Sequence, residues 1–370
     1  MIKHTLKRIR QKWHNDINAR IIELCNDLQI NTNKSNSNIK LEQTQILNQL
    51  VLHNQLLCED FSNFIRDLFM IINRYKKIRN INSEGIRSGI YYKFILNQNE
   101  LKKVCDALDV SSRQEWYYLI LVWVCSWLFA ENPSELTQDS FFNFSFFKTI
   151  QEITGGGYDF SDVKDCSDVK KQYLYDDDFM KPGMFVIDGG AFTGDTAELF
   201  SDIVGSKGMV YSFEPTESSF NILKEKKLAN VQCIQKGLYS TDCNLEFGLM
   251  DNAPAANSFN SDFLSTYNQT VTIPVTYLDK FIEDNHIPHV DFIKMDVEGS
   301  ELEALKGAKN TINTHMPNMA ICIYHNLGND VIDVPIWLVC NFGDIYQFRI
   351  LHHSKGWGES VIYCIKKDKK

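Results

Sequence analysis

From residue 184 onward, short apolar runs alternate with segments whose apolar residues recur at helical spacing. The runs predict seven strands, at 184–188, 209–213, 231–235, 291–295, 319–324, 344–349 and 360–365. Helices are predicted at 194–204, 216–228, 299–311 and 333–341. Strands that alternate with helices are typical of parallel βαβ units, so an α/β domain with a seven-stranded, mostly parallel sheet is predicted here.

The first part of the chain differs, because its apolar residues recur at helical spacing without intervening strand signals. We therefore predict an all-α domain of unknown role over residues 1–150, followed by the α/β domain over 151–370. Within the first domain, Trp116–Ala130 is an apolar run too short to span a bilayer. It is interpreted as a buried core helix, with a helix at a membrane interface or a subunit contact as the alternative. The basic first helix is a further candidate for a peripheral membrane or protein contact.

Composition narrows the class of protein. The ten cysteines are scattered and form no C-x-x-C pair, which favours reduced thiols and a cytoplasmic location. The net charge is −9, and residues 151–370 carry the acidic excess. Because phosphate backbones bind basic faces, no nucleic-acid partner is expected.

A glycine-rich loop follows the first predicted strand. The stretch Ile187–Asp195 reads Ile-Asp-Gly-Gly-Ala-Phe-Thr-Gly-Asp and leads into a helix, a geometry that lets backbone approach a nucleotide-like ligand. Glu214 ends the second strand, 20 residues after Gly194, where an acid can bind both ribose hydroxyls. Phe192 occupies a glycine position of the nicotinamide or flavin motif, and no P-loop lysine follows Gly194. Acids at both ends of the loop suit a positively charged ligand such as S-adenosylmethionine.

Another set of acids follows the fourth predicted strand, in Asp296-Val-Glu298-Gly-Ser-Glu301. Carboxyl ends of parallel strands line one crevice, so Asp188, Glu214 and Asp296 are predicted to meet there. Asp296 and Glu298 are also expected to serve as the N-cap and first-turn acid of the following helix, a role that does not exclude function. His325 follows the next strand and is the candidate general base, with a structural histidine as the equal alternative.

Three motifs in this order resemble the FkbM-type S-adenosylmethionine-dependent methyltransferases. They are Phe185–Thr196, Phe213-Glu-Pro215 and Phe292–Glu301, and the resemblance extends over residues 172–365. It implies a class I, Rossmann-like methyltransferase fold and usually O-methylation, mostly of sugar and polyketide hydroxyls. Phe192 replaces the middle glycine of the generic methyltransferase loop, and larger residues are common there in FkbM-like sequences.

The predicted function is O-methylation of a sugar or glycan hydroxyl, with S-adenosylmethionine as the cofactor. The predicted cofactor-binding residues are Asp188, Gly189, Gly190, Ala191, Thr193, Gly194, Asp195, Thr196, Phe213, Glu214, Pro215, Gly237, Leu238 and Asp296. The predicted catalytic residues are His325, Asp296 and Glu298, and His353 and Glu359 are substrate candidates. The same catalytic trio could ligate a divalent ion, although no ligand spacing demands one and no metal is predicted. A nicotinamide-dependent oxidoreductase and a non-catalytic scaffold remain as rivals.

Overall fold

A computed structural model describes residues 97–129, 169–249, 269–353 and 358–367 of the chain. The chain divides between residues 98 and 99, and residues 99–370 form one compact unit. The predicted domain boundary after residue 150, the helical content of residues 1–96 and the basic first helix lie outside the described residues. They stay predictions.

The strands and helices of the described residues follow the predicted alternation. The strands are β1 (Phe185–Gly189), β2 (Met209–Phe213), β3 (Val231–Ile234), β4 (Gly237–Leu238), β5 (Cys243–Leu249), β6 (Gln269–Thr276), β7 (Phe292–Met295), β8 (Asn318–Cys322), β9 (Tyr346–His352) and β10 (Ser360–Lys366). The helices are α1 (Gln98–Ala107), α2 (Val110–Phe129), α3 (Val169–Tyr173), α4 (Asp195–Val204), α5 (Glu217–Glu225), α6 (Leu278–Asp284), α7 (Glu301–Lys306), α8 (Lys309–His315) and α9 (Asp330–Phe342). The helix predicted at 299–311 is thus two short helices, α7 and α8.

The main sheet has the strand order β3-β2-β1-β7-β8-β10-β9. Its neighbours from β3 to β8 pair in parallel, and β10 runs antiparallel to both β8 and β9. The predicted seven-stranded, mostly parallel sheet of the class I methyltransferase type is therefore confirmed. The chain builds outward from β1 to β3 and then returns to place β7 on the other side of β1. This reversal opens a crevice at the carboxyl ends of β1 and β7, the usual ligand position in such sheets.

Apolar side chains of the central strands form the core beneath this crevice. Phe292 on β7 is fully buried and lies 5.4 Å from the ring of Phe179 and 5.6 Å from that of Phe200, both in edge-to-face contact. Such geometry adds to the gain from area burial, because the positive edge of one ring faces the negative face of the other. The strand ends that carry the site therefore lie above a buried core of packed aromatic rings.

Helix α2 packs against β9 of this unit. Trp116, Leu119, Ile120 and Trp123 are buried, and the Trp116 indole donates a 2.7 Å hydrogen bond to the carbonyl of Val331. For these side chains the prediction of a buried core helix is confirmed. Across the described residues, every helix is too short or too polar to cross a bilayer.

A three-stranded sheet, in the order β4-β6-β5, lies beside the main one. Leu238 of β4 is buried, and its Cδ1 would lie 3.0 Å from a Cβ placed on Gly189. The small sheet thus reaches the carboxyl end of β1. Residues 250–268, between β5 and β6, lie outside the described residues.

Because His353 is buried, we predict that the free energy of unfolding depends on pH. Its Nε2 lies 2.7 Å from the Tyr363 hydroxyl, which donates its own proton to the carbonyl of Gln172, so the imidazole must donate. Burial lowers the pKa of His353 to about 4. The unfolded chain binds a proton near pH 6.5 and the folded chain only near 4. The contribution of neutral His353 to the free energy of unfolding is therefore fully present above pH 6.5 and is lost as the pH falls toward 4.

We expect wild type to lose about 2 kcal/mol of unfolding free energy from this group between pH 7 and 5. His353→Gln keeps a donor for Tyr363 but cannot titrate, so it should show a flatter pH dependence. Urea unfolding at both pH values measures the difference. Parallel losses in the two proteins would contradict the assignment to His353.

Candidate functional site

The loop after β1 is a tight turn that needs unusual backbone angles. Gly190, Phe192 and Gly194 have φ values of 74°, 47° and 94°. The amides of Gly190 and Ala191 both donate to the carbonyl of Phe213, at 3.0 and 2.9 Å, which ties the loop to the end of β2. The predicted cofactor loop therefore sits at the crevice, with Phe213 contributing through its backbone.

Gly190 is also the point where this loop touches the segment after β7. A Cβ at residue 190 would lie 1.8 Å from the carbonyl oxygen of Asp296. Only glycine allows such an approach of two backbones. The turn after β1 and the acids after β7 are consequently held in direct contact.

Glu214 closes the loop from the other side. Its carboxylate accepts from the Phe192 amide at 3.0 Å and from the Thr216 amide at 2.9 Å, and it also accepts from the Thr216 hydroxyl. Burial raises the pKa of Glu214, and these hydrogen bonds oppose the rise. The residue lies at the strand end as predicted, and its contact with ribose stays a prediction.

Asp188 lies beneath the loop and is fully buried. Thr196 Oγ1 donates to both of its oxygens at 3.0 Å, and Ser212 Oγ donates to Oδ2 at 3.2 Å. These contacts make Asp188 a support of the loop, and a direct contact with the cofactor stays a prediction.

Lys294 is a member of this network that sequence reasoning missed. Its side chain is 2% exposed, and Nζ lies 3.5 Å from Asp188 Oδ1. Nζ also donates to the carbonyls of Gly189 and Gly190, at 3.0 and 2.6 Å. Burial lowers the pKa of Lys294, but the Asp188 and Asp296 carboxylates outweigh it, and the net shift is upward. A charged residue inside the apolar run Phe292–Met295 was the available signal.

The other predicted cofactor residues line or flank the loop. Thr193 is half-buried, Asp195 is exposed and lies 3.8 Å from Lys226 Nζ, and Pro215 is half-buried. Gly237 and Leu238 are buried in β4, where the Leu238 carbonyl accepts from Ser300 Oγ at 3.2 Å. The roles assigned to these residues stay predictions.

A carboxylate–histidine cluster follows β7 and β8, with Asp296, Glu298, Glu301 and His325 as its members. His325 Nε2 lies 3.6 Å from Asp296 Oδ1 and 3.3 Å from Glu298 Oε2, while Nδ1 lies 2.7 Å from Glu301 Oε1. The three predicted catalytic residues are thus brought together. Sequence reasoning missed Glu301, whose contact with His325 spans 24 positions.

The expectation that Asp296 and Glu298 also cap the following helix is wrong. Helix α7 begins at Glu301, with Ser300 at its N-cap. The acid that receives the free amides is Glu301, which accepts from Val297 at 3.0 Å and from Gly299 at 2.9 Å. Glu298 instead has a φ of 52°, and its side chain is 30% exposed.

The charged groups of the cluster shift one another's pKa values. Burial lowers the pKa of His325, but the Glu301 and Glu298 carboxylates raise it well above its usual range. Burial raises the pKa of Glu298 to about 7, against the opposing effect of His325. For Asp296, burial raises the pKa, but Lys294 and His325 outweigh it and the net shift is downward. Tyr173 and Tyr324 fix that carboxylate, donating at 2.7 and 3.2 Å.

The two substrate candidates, His353 and Glu359, are held by protein groups. His353 is buried against Tyr363, and its amide donates to the Glu359 carbonyl at 2.9 Å. Glu359 accepts from the Gln172 side-chain amide, and burial raises its pKa. Their role toward a substrate stays a prediction.

Comparison with known proteins agrees with the resemblance seen in the motifs. Residues 188–348 match the sequence model of the methyltransferase FkbM domain. Hexuronic acid methyltransferase AglP of Haloferax volcanii is 29% identical over 115 residues, which are 30% of this chain and 46% of that protein. The chain therefore aligns with about half the length of this curated relative.

Solved structures also superpose on the chain. A methyltransferase FkbM from Methylobacillus flagellatus KT has 18% identity and a TM-score of 0.49. The match covers 74% of this chain and 60% of that protein. A putative methyltransferase from Streptococcus mutans, in complex with SAH, has 13% identity and a TM-score of 0.33. The match covers 51% of this chain and 92% of that protein. On the match over residues 188–348, this chain contains a methyltransferase FkbM domain.

Proposed function

We propose that the chain transfers a methyl group from S-adenosylmethionine to a hydroxyl of a sugar or glycan. The family of the domain supports methyl transfer. The similarity to a hexuronic acid methyltransferase supports a sugar acceptor. A uronic acid residue of a glycan is accordingly the first acceptor class to test.

The contact between the loop and the cluster is the observation that carries this proposal. Gly190 touches the Asp296 backbone, and the Asp296 carboxylate lies beside His325. A cofactor held on the loop would therefore present its sulfonium next to acids and an imidazole. Carboxylates stabilise the positive charge of a sulfonium, whereas they would repel a diphosphate.

The reaction is an in-line displacement that depends on positioning. The acceptor hydroxyl loses its proton at the Asp296–Glu298–His325 cluster, and its oxygen bonds to the methyl carbon. The bond from carbon to sulfur breaks with its electron pair on sulfur, which leaves neutral S-adenosylhomocysteine. The protein supplies alignment, a place for the proton and exclusion of water.

The rivals make different predictions for binding. A nicotinamide cofactor needs close backbone around its diphosphate, and Phe192, 40% exposed, stands in the loop instead. A scaffold without catalysis would bind S-adenosylhomocysteine weakly or would bind it without transferring methyl groups. Titration and turnover together separate these three functions.

The test starts with calorimetric titration of the full chain with S-adenosylhomocysteine, using NADH as the comparison ligand. We expect binding of the first ligand alone. Glu214→Gln should weaken it about tenfold or more, because a charge-assisted hydrogen bond contributes about 1.5–3 kcal/mol. Glu217→Gln, at an exposed position on α5, is the matched control and should bind as wild type does.

The second stage measures transfer of labelled methyl groups from S-adenosylmethionine to glycans that contain hexuronic acids. Label in the glycan, with none after the free hydroxyls are chemically blocked, is the expected result. A folded sample that binds no S-adenosylhomocysteine would overturn the function. Binding without transfer to any sugar hydroxyl would overturn the proposed acceptor.

A further inference from the structure

Among the described residues, His325 Nε2 meets no hydrogen-bond geometry, although Glu298 Oε2 lies 3.3 Å from it. The side chain is only 9% exposed, and among the described residues no acceptor is aligned for a hydrogen bond with the buried Nε2. Buried polar atoms of this kind are rare in folded proteins, and each one calls for an explanation. This atom points toward the oxygens of Asp296 and Glu298, so a missing ligand between them would explain it.

The spacing of these atoms matches the coordination shell of one ion. Two ligand atoms that are about 2.1 Å from a common metal lie about 3.0 Å apart at a right angle and about 3.4 Å apart at the tetrahedral angle. His325 Nε2 lies 3.3 Å from Glu298 Oε2 and 3.6 Å from Asp296 Oδ1. Small side-chain adjustments would bring both carboxylates and the imidazole onto one cation.

Glu301 also lies within reach, because oxygens of Asp296 and Glu301 and a ring nitrogen of His325 all lie within 4.8 Å of one another. Its oxygens, however, already accept from two backbone amides and from His325 Nδ1. Metal-binding histidines usually donate their second nitrogen to such a carboxylate, which fixes the ring. Glu301 therefore orients His325 through Nδ1, and Glu298 supplies the carboxylate oxygen that lies nearest to Nε2, at 3.3 Å.

Charge in the cluster also favours a cation. Three carboxylates surround His325, so the cluster keeps a net negative charge even when the imidazole is protonated. Lys294, the nearby ammonium, is engaged by Asp188 and two loop carbonyls. Asp296 is itself held by the hydroxyls of Tyr173 and Tyr324, as outer partners hold ligating carboxylates in metal sites. The site is thus pre-organised around a concentration of negative charge.

We propose that Asp296, Glu298 and His325 form a binding site for one divalent cation, with Glu301 as the positioning residue behind His325. Two carboxylates and one imidazole suit a hard to borderline ion of the Mg²⁺ or Mn²⁺ class, which completes its shell with water. The site itself does not depend on the enzymatic activity.

Its use in catalysis rests on the proposed function. An acceptor hydroxyl would replace one water on the cation, which lowers the pKa of that hydroxyl. The hydroxyl proton would pass to a carboxylate oxygen of the same cluster, as in the proposed function. The oxygen would attack the methyl carbon, and the electron pair of the broken carbon–sulfur bond would stay on sulfur. Two adjacent oxygens of a sugar could occupy two positions on the ion, which would select acceptors with neighbouring oxygen groups.

The test is a titration of the chelator-treated full chain with Mn²⁺, followed by the electron paramagnetic resonance signal of free Mn²⁺. Neither cofactor nor acceptor is present. We expect one Mn²⁺ per chain in wild type and at least a tenfold weaker affinity in Glu298→Gln, whose partly exposed position should tolerate the change without a folding defect. Glu301→Gln should weaken binding about 10- to 100-fold as an orienting partner. Glu283→Gln, exposed on α6, is the control and should match wild type.

Failure of the folded wild type to bind Mn²⁺ more tightly than about 1 mM would overturn the site, as would equal affinities in Glu298→Gln and Glu283→Gln. Calorimetry with S-adenosylhomocysteine on the same sample separates this failure from that of the proposed function. Cofactor binding without Mn²⁺ binding would leave the methyltransferase and remove the metal site. Mn²⁺ binding without cofactor binding would do the reverse.

Discussion

Gly190→Ala is expected to weaken cofactor binding by about 100-fold or more. The new Cβ would lie 1.8 Å from the Asp296 carbonyl oxygen, and the residue has a φ of 74° that alanine disfavours. The loop must therefore move away from the segment after β7, which displaces the amides that face the crevice. Misplacement by about 1 Å costs a preorganised site about 100-fold or more in function. We expect a loss of at least this size in the affinity for S-adenosylhomocysteine.

Calorimetry with S-adenosylhomocysteine measures the effect, and Gly183→Ala provides a matched control. Gly183 has a φ of 87°, but a Cβ at this residue would have nothing within 4 Å of it. The control therefore carries the backbone strain, about 1–2 kcal/mol, without the collision. It should lose stability and keep its affinity. Equal affinities in the two variants would show that the contact between the loops does not shape the cofactor site.

The sheet was predictable because each strand is a local pattern. The apolar runs that end at Asp188, Phe213 and Met295 have the length of buried strands. Gly190 and Gly194 indicate a turn after the first of these strands. Parallel pairing then brings the strand ends to one crevice by topology alone. For this reason the proximity of His325 to Asp296 followed from the positions of two strands.

Contacts that depend on register were not predictable in the same way. In the pairing of β1 with β7, Asp188 lies opposite Lys294. The carboxylate compensates the charge of the lysine, which is why a lysine is tolerated inside an apolar strand. The pairing is visible only once the strand order is known. The Glu301–His325 contact is similar, because it requires both the start of α7 and the chain direction after β8. Ion pairs between residues far apart in the sequence therefore could not be predicted from the spacing of apolar residues.

Lys294→Met is expected to cost about 3–5 kcal/mol of unfolding free energy, because removing one partner of a buried ion pair leaves the other charge uncompensated. Asp188 would keep Thr196 and Ser212 but lose its only ammonium among the described residues. The carbonyls of Gly189 and Gly190 would lose a donor as well. Urea unfolding measures the loss. Lys170→Met, which breaks the exposed pair with Asp177, should cost less than about 1 kcal/mol.

The double variant Lys294→Met with Asp188→Asn separates lost charge pairing from lost packing. Neutralising Asp188 removes the buried charge that the single variant leaves uncompensated, so the double variant should recover much of the stability. Cofactor affinity need not recover with it, since the two loop carbonyls still lack the Lys294 donor that fixes them. Recovery of stability with a persistent loss of affinity would assign Lys294 to the shape of the loop as well as to the charge of Asp188. A double variant no more stable than Lys294→Met would show that packing, and not the uncompensated carboxylate, dominates the cost.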